Sequence, residues 1–378
     1  MTEREYDVIV YGAGPEGVAA ALAAAERSGS VLLADGGTDV GGVAVCGLMN
    51  CWRGEGGGPL MEHVRSLTRR AWGRLIFEPE ELAQAFRKLL KDAGVHLLLG
   101  APAIRVKNKR RRIKSVSFAG SEGRAKLSAW CYIDASPDFT LARLAGCAFE
   151  EEPERAAIVL QARVGGIDTR VPGVFDGETM NQYMSQFMSE LATEELPVGL
   201  AFPALTPCLR GGTAMLNAAG EGVPVEEGPL GRTAAELRCR DDALAAIGFL
   251  QRNVPGYENC CLIHFAGQPL VRSCPQPARL RAESAEAFDE SGLAEDVTVM
   301  IYRDPDNPNA EIAVPLGNLM SPDTENLLLA RAGSMEEDRM PLLLSCGDAA
   351  GRAAAESLLY DGDVLKLDAE RLRKALAK

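Results

Sequence analysis

The first 35 residues constrain the fold of this chain more than any other segment. An apolar run rich in β-branched residues, Asp7–Tyr11, predicts a buried strand. The sequence Gly12-Ala-Gly-Pro-Glu-Gly17 follows directly, and an alanine-rich helix is predicted from Val18 to about Arg27. A second predicted strand, Ser30–Ala34, is closed by Asp35. The segment has the length and order of a strand–helix–strand unit whose two strands run parallel.

The glycine spacing G-x-G-x-x-G, placed between a strand and a helix, predicts a dinucleotide-binding turn. Gly12 allows a tight turn, Gly14 lets a pyrophosphate approach the backbone, and Gly17 lets the helix pack closely on the strand. The positive end of the helix would face the phosphates. Asp35 would accept hydrogen bonds from both hydroxyls of an adenosine ribose. The alternative is a strand–helix–strand unit whose glycines are purely structural.

Two further features favour FAD over NAD as the dinucleotide. The first feature is Pro15 together with the later pair Gly41-Gly42. The second is the apolar run Leu342–Cys346, interpreted as a strand, followed by Gly347-Asp348, interpreted as the start of a helix near the flavin. The sequence contains no second strand–G-x-G-x-x-G–helix unit, so we expect no dedicated NAD(P)H domain. The flavin is therefore expected to exchange electrons directly with a small-molecule substrate or a redox partner.

The predicted fold class is α/β, with a Rossmann-like FAD-binding domain built from both chain ends and an inserted α+β substrate domain. The boundaries are predicted at 1–150 for the N-terminal part of the FAD-binding domain, 151–310 for the insertion and 311–378 for the C-terminal part. The residues predicted to bind the cofactor are Gly12, Ala13, Gly14, Pro15, Glu16, Gly17, Asp35, Gly36, Gly41, Gly42, Val43, Ala103, Ala135, Gly347, Asp348 and Ala350.

Composition excludes several other classes of protein. The net charge of −13 over 378 residues argues against binding to nucleic acid or to an anionic membrane surface. No apolar run approaches the roughly 20 residues of a membrane span, and the N-terminus lacks the pattern of a signal peptide, so a cytoplasmic location is expected. Ten cysteines contain no C-x-x-C, and with three histidines they predict no metal site. Oligomeric state cannot be predicted from these features.

Hydrophobic periodicity predicts the remaining elements at coarse resolution. Between residues 80 and 133 the pattern is one helix, one strand and then three antiparallel strands. Farther along, a strand, a long helix, two strand-like runs and an alanine-rich helix are predicted. The segments are Glu80–Ala93, Val95–Leu99, Ala103–Val106, Ile113–Phe118, Ala125–Ile133, Ala156–Val164, Thr233–Asn253, Asn326–Ala330, Pro341–Cys346 and Ala349–Leu359.

Segments spread over nearly the whole chain carry a resemblance to a known family. They are Gly12–Gly17, Asp35 with Gly41–Asn50, Phe77–Glu80, Tyr132–Ala135, Asn253–Asn259, Val314–Leu319, Asn326–Ala330 and Gly347–Ala354. On these segments the chain resembles the FAD-dependent oxidoreductases of the glutathione-reductase-like superfamily, specifically the group of xanthan-lyase-associated oxidoreductases. The resemblance implies FAD held by both ends of the chain and a substrate domain inserted between them.

The chain departs from that family's pattern at three places. The family's alanine-threonine-glycine-aspartate is Ala135-Ser-Pro-Asp138 here, and its alanine-glycine-arginine is Ala330-Arg331-Ala332. The family's arginine-glutamate-serine-arginine-arginine signature is reduced to Val271-Arg-Ser-Cys-Pro275. Arg272 is thus the one catalytic candidate that the resemblance supports.

Two side chains are candidates for catalysis. Arg272 would bind a substrate carboxylate or stabilise negative charge on the reduced flavin, and its alternative is a structural ion pair. His264 would serve as a base, and its alternative is a packed histidine in an apolar strand. The predicted function is FAD-dependent hydride transfer to or from a small substrate. The alternatives are a flavin-binding pseudoenzyme or partner-dependent electron-transfer subunit, and an NAD-dependent dehydrogenase.

Overall fold

The computed structural model describes most of the chain, and its strands and helices are named here in chain order. The described residues are 4–52, 59–71, 74–149, 157–176, 178–179, 182–183, 185, 189, 204–217, 222–226, 228–272, 298–303, 311–321, 323–331 and 340–376. The strands are β1 Arg4–Tyr11, β2 Val31–Ala34, β3 Arg69–Ala71, β4 Arg74–Ile76, β5 His96–Leu98, β6 Ala103–Lys109, β7 Arg112–Gly120, β8 Gly123–Asp134, β9 Ala157–Val159, β10 Gln161–Gly165, β11 Ala204–Pro207, β12 Ala214–Asn217, β13 Val223–Pro224, β14 Cys261–Phe265, β15 Leu270–Arg272, β16 Thr298–Arg303, β17 Glu311–Pro315 and β18 Leu327–Leu329. The helices are α1 Pro15–Ala25, α2 Gly42–Val45, α3 Pro59–Ser66, α4 Pro79–Asp92, α5 Thr140–Ala145, α6 Pro229–Asn253, α7 Met340–Ser357 and α8 Ala369–Leu376.

A sheet of seven strands joins the two ends of the chain. Strands β5, β2, β1 and β8 lie side by side and parallel, and β18 pairs in parallel with the end of β8. The β1–α1–β2 crossover is the unit that the first 35 residues predict. Because a strand from the C-terminal part completes the N-terminal sheet, the predicted Rossmann-like α/β fold class is confirmed.

The three predicted antiparallel strands after residue 100 are present and extend the same sheet. Strand β8 is long enough to pair with β7 through its first half and with β1 through its second half. Strand β6 then pairs with β7, and the basic turn at Arg110 and Arg111 between them is exposed. Helix α4 agrees with its prediction to within a residue at each end.

The C-terminal segment differs from its prediction. Residues 341–346 were expected to form a strand with a helix opening at Gly347-Asp348, whereas both lie within the single helix α7. The run Pro-Leu-Leu-Leu-Ser-Cys has no β-branched residue, and leucine favours the helix. Gly347 and Gly351 face α1, where added Cβ atoms would lie 2.0 Å from the Glu16 carbonyl oxygen and 2.3 Å from that of Ala20. These glycines therefore let two helices cross closely.

The middle of the chain forms separate, smaller sheets. A four-stranded sheet has the order β11-β12-β10-β14, and a three-stranded sheet has the order β13-β9-β15. The run predicted as one strand, Ala156–Val164, is divided at Leu160, because β9 and β10 pair with different sheets. Helix α6 covers these strands, and its Phe249 and Leu250 are buried against Val164 and Leu216. Among the residues described, no helix is long and apolar enough to span a membrane.

Candidate functional site

The candidate cofactor site lies where the parallel strands end. Gly12 follows β1, Asp35 follows β2, Ala135 follows β8, and Arg331 stands two residues after β18. Since parallel strands of one sheet end at the same edge, the topology brings these four positions together. Open α/β sheets bind their ligands in the crevice at this edge.

The glycine-rich turn is shaped by close backbone contacts. Gly12 has a φ of +105°, and a Cβ there would lie 2.4 Å from the carbonyl carbon of Ala135. A Cβ on Gly17 would lie 1.7 Å from the Gly12 oxygen. Helix α1 begins at Pro15, one turn earlier than predicted, and Gly14 is its N-cap without any side-chain hydrogen bond. The turn thus lets a ligand approach the backbone closely, and the Glu16 side chain lies beside Gly14.

The pair Gly41-Gly42 closes onto this turn. The Gly41 N–H donates to the Ala13 carbonyl oxygen at 2.6 Å. A Cβ on Gly42 would lie 2.9 Å from the Cα of Gly14. The short helix α2 starts at Gly42, and its Val43 is buried in the main core. Two segments that the sequence assigned to the cofactor therefore meet.

Asp35 is held in a fixed orientation by backbone donors. Its Oδ2 accepts from the Ala13 N–H at 2.6 Å, and its Oδ1 accepts from the Gly37 N–H at 2.5 Å. The residue is half-buried, and each carboxylate oxygen retains a lone pair that a ribose hydroxyl could use. Gly36 lies against Pro102, and the Ala103 N–H donates to the Tyr11 hydroxyl at 3.2 Å, so both residues lie beside the ends of β1 and β2.

Glu16 and Arg331 form a buried ion pair at the start of α1. The Arg331 Nη1 lies 3.5 Å from the Glu16 Oε1, and the two side chains are only 5% and 4% exposed. Burial raises the pKa of the Glu16 carboxyl above its usual range, whereas the charge on Arg331 lowers it. The sequence analysis placed Glu16 in the site but missed Arg331 as its partner. The altered family triplet at residues 330–332 was the available signal.

Gly347, Asp348 and Ala350 do not form the helix start that was predicted to approach the flavin. Gly347 and Ala350 are buried in the packing of α7, and Asp348 pairs with Arg352 one turn later, at 2.8 Å between Oδ2 and Nε. The helix that contains them begins at Met340. The physical reason for assigning these three residues to the cofactor is therefore lost.

The middle sheets contact the segment that follows Gly42. The Gly267 N–H donates to the Cys46 carbonyl oxygen at 2.9 Å, and the Asn50 side chain donates to the Pro207 carbonyl oxygen at 2.9 Å. Leu48 shares an apolar cluster with residues of β9 and β12. The segment Cys46–Asn50, which follows the predicted cofactor-binding residues Gly41–Val43, is thus covered by the part of the chain predicted to bind substrate.

A second charge cluster, which is partly buried and which the sequence analysis missed, joins the start of α4 to β10. The Arg163 guanidinium donates two hydrogen bonds to Glu80, at 2.6 and 3.0 Å. Glu78 is 2% exposed and accepts from the Leu209 N–H at 2.7 Å. These carboxylates and this guanidinium come from distant parts of the chain, and their ion pairs hold the four-stranded middle sheet against the start of α4.

His264 lies beside that cluster, exposed on the edge strand β14 and opposite Arg163 in the ladder. Partial desolvation lowers the pKa of His264, and the charge on Arg163 lowers it further. A neutral imidazole at pH 7 is the form that a general base requires. Arg272 ends β15, where its backbone pairs with Ala157 in the three-stranded sheet. The Arg272 side chain lies outside the described part of the structure.

Cys46 is not an activated nucleophile at this edge. Cys46 and Cys51 are not joined in a disulfide. Burial raises the pKa of the Cys46 thiol, and the charges of Asp39 and Asp35 raise it further. A thiol with a raised pKa is protonated and weakly reactive at pH 7. In the described part of the chain, no group of three His, Cys, Asp or Glu side chains could hold a metal ion.

Comparison with known proteins agrees with this geometry. A family model described as FAD dependent oxidoreductase matches residues 7–274. Among solved structures, a geranylgeranyl bacteriochlorophyll reductase-like protein from Thermoplasma acidophilum is similar, with a TM-score of 0.56 and 14% identity, covering 99% of this chain and 91% of that one. The flavin-dependent brominase Bmp2 has a TM-score of 0.51 at 12% identity, covering 99% and 83%. The myxobacterial chondrochloren halogenase CndH has a TM-score of 0.51 at 14% identity, covering 99% and 78%.

At these identities the solved structures establish the fold alone. A comparison with curated proteins finds no match to this chain.

Proposed function

Because the chain belongs to the family of FAD dependent oxidoreductases, with FAD as its cofactor, we propose that the crevice at the ends of β1, β2 and β8 holds that FAD. The observation that carries the proposal is the convergence of the Gly12–Gly17 turn, the Gly41-Gly42 pair and the Asp35 carboxylate at one edge of the sheet. Asp35 would bind the adenosine ribose, and the start of α1 would bind the pyrophosphate. The NAD alternative loses its support, since the family is one of FAD enzymes.

We propose hydride transfer between the flavin and a small molecule as the reaction. The bound flavin supplies the redox chemistry, while the chain supplies binding, orientation and exclusion of water. The proposed substrate domain is the inserted middle, residues 151–310. Its support is the contact between β9–β12 and the Cys46–Asn50 segment. We also propose that the chain belongs to the group of xanthan-lyase-associated oxidoreductases, which it resembles in sequence.

The second candidate function is a flavin-binding subunit that passes electrons to a protein partner. It is favoured by one observation, the reduction of the family's arginine signature to Val271–Pro275, which keeps a single arginine. In this reading Arg272 would be a structural residue. The two functions differ in whether small molecules alone oxidise and reduce the bound flavin.

Replacement of Arg272 by Ala tests the enzymatic proposal. FAD content should stay unchanged, because the proposed FAD contacts come from residues 12–17, 35 and 41–42. Turnover of a substrate found by anaerobic screening of small carboxylates and alcohols should fall about a hundredfold, since one lost electrostatic contact in the transition state has that effect. Arg272→Lys should restore only part, because lysine lacks the planar pair of donors.

The matched control is Arg170→Ala, which removes an exposed arginine paired with Asp168 in the same part of the chain. It should leave turnover unchanged. Normal turnover in Arg272→Ala, together with lowered stability, would assign Arg272 to the structure and favour the partner-dependent function.

A further inference from the structure

A carboxylate occupies the position where a dinucleotide's pyrophosphate is expected. Glu16 is the second residue of α1, after Pro15, and is 3% exposed. Its side chain folds back toward the turn, where the proximity of its own backbone lowers the carboxyl pKa and burial raises it. The Oε2 lies only 2.6 Å from where a Cβ on Gly14 would stand. An anion that belongs to the chain therefore already lies at the start of the helix.

Arg331 stabilises this arrangement from the neighbouring strand. It stands just after β18, and its guanidinium is buried with the Glu16 carboxylate at 3.5 Å. Burying two charges is costly, and their attraction only partly offsets the cost. Desolvation is the largest influence on the pKa of Glu16 and raises it, and the charge on Arg331 only partly offsets that rise. The carboxylate is thus held in place without being strongly stabilised in its charged form.

A pyrophosphate placed over Gly14 would meet this carboxylate directly. The helix start attracts the phosphates, but a negative side chain at the same position repels them. The opposition is relieved when the carboxylate turns away or gains a proton. The guanidinium that it leaves is a strong partner for a phosphate.

From this geometry we infer that Glu16 holds the pyrophosphate position while the cofactor is absent, and that Arg331 is a further FAD-binding residue, passing from the Glu16 carboxylate to the pyrophosphate as FAD binds. The inference rests on the proposed FAD site. It makes Glu16 a competitor of the cofactor, so that the chain's own side chain sets how tightly FAD is held.

Charged groups that follow two strands act on Glu16. Arg331 comes from the end of β18, and Asp35, from the end of β2, raises the Glu16 pKa further. Helix α7 brings Gly347 against the Glu16 backbone, and the adjacent Asp348 is paired with Arg352. At the end of β8, burial raises the pKa of Asp134 to about 6, so this second carboxyl titrates at the same sheet edge. A pH profile of the wild type alone would mix the two carboxyls.

The test compares FAD binding by the apoprotein of wild type and Glu16→Gln, measured by quenching of flavin fluorescence. Glutamine keeps the size of the side chain and removes its charge, so FAD should bind at least about tenfold more tightly. Circular dichroism checks that the variant is folded. The matched control is Glu26→Gln, at the other end of α1, where the carboxylate is exposed and pairs with Arg352. It should bind FAD as the wild type does.

A second measurement is the pH dependence of FAD affinity in the wild type, where the Glu16–Arg331 ion pair is intact. In the wild type, FAD affinity should rise as the pH falls through the raised pKa of Glu16, because the protonated carboxyl no longer repels the pyrophosphate. In Glu16→Gln this component of the profile should vanish, and any pH dependence that remains belongs to other groups, Asp134 among them. Arg331→Gln should weaken FAD binding, with ADP as a second probe of the same contact.

The outcomes separate this inference from the proposed site. Equal or weaker FAD binding by folded Glu16→Gln, with an unchanged pH profile, would overturn the role of Glu16 while FAD binding in the crevice stands. If Asp35→Ala also left the affinity unchanged, the proposed FAD site itself would fail.

Discussion

At the scale of single residues, Asp35 connects the two ends of the candidate site. Its two carboxylate oxygens accept the N–H groups of Ala13, in the glycine-rich turn, and of Gly37, in the loop after β2. The carboxylate therefore shapes the turn and, in the proposed complex, also accepts the ribose hydroxyls. Removing it should affect binding through both roles.

Asp35→Ala should weaken FAD binding at least about tenfold, because hydrogen bonds to a charged group contribute roughly 1.5–3 kcal/mol. Titration of the apoprotein with FAD measures the effect. The control is Asp39→Ala, in the same loop, whose carboxylate pairs with the Arg87 guanidinium. Asp39→Ala should bind FAD as the wild type does, and an unchanged affinity in Asp35→Ala would place the ribose elsewhere.

Residue-level prediction from sequence succeeds where the geometry is local. The spacing of Gly12, Gly14 and Gly17 determines one turn, and the structure shows the close contacts that this spacing implies. The partners of Glu16 and of Arg163 lie far away in the chain, and only the folded sheet brings them together. No local pattern carries that information, which is why both ion pairs were missed.

At the scale of elements, the packing of α7 on α1 decides how the C-terminal part joins the N-terminal sheet. Alanines of α1 face Gly347 and Gly351 of α7, and added Cβ atoms there would lie within 2.3 Å of backbone oxygens. Small residues on both helices allow this short distance between the axes.

Gly347→Ala should lower the free energy of unfolding by about 1–3 kcal/mol, as overpacking of a tight interface usually does. Thermal and denaturant unfolding of the apoprotein measure it. Gly248→Ala in α6 is the control, since its added Cβ would meet only the end of the flexible Arg252 side chain, at 3.3 Å. That variant should gain about 0.5–1 kcal/mol from the better helix former. Equal effects at the two positions would contradict the packing described for Gly347.

The periodicity of the sequence correctly predicted most of the strands and helices within residues 1–134. It was wrong at residues 341–346, because a short apolar run does not distinguish a strand from a buried helix. It also joined β9 and β10 into one strand. The division at Leu160 depends on which sheet each half meets, and that is a property of the tertiary structure.

At the scale of the whole molecule, one sheet built from both chain ends positions the candidate FAD site, and the smaller middle sheets cover the loop beside it. The sequence contains one strand–G-x-G-x-x-G–helix unit and no second one. This pattern predicts one dinucleotide site, and we propose FAD as its occupant.

NADH and NADPH should therefore reduce the bound flavin slowly or not at all. Anaerobic mixing followed by flavin absorbance measures the rate, and dithionite serves as the control that the flavin is reducible. Rapid and saturable bleaching by either nucleotide would reveal a pyridine-nucleotide site that the sequence does not signal.

The position of FAD in a crystal structure of the holoprotein tests the central claim most directly. The account predicts the adenosine ribose within hydrogen-bond distance of the Asp35 carboxylate and the pyrophosphate over Gly14 at the start of α1. FAD bound away from the ends of β1 and β2, with Asp35 contacting only the Ala13 and Gly37 N–H groups, would contradict it.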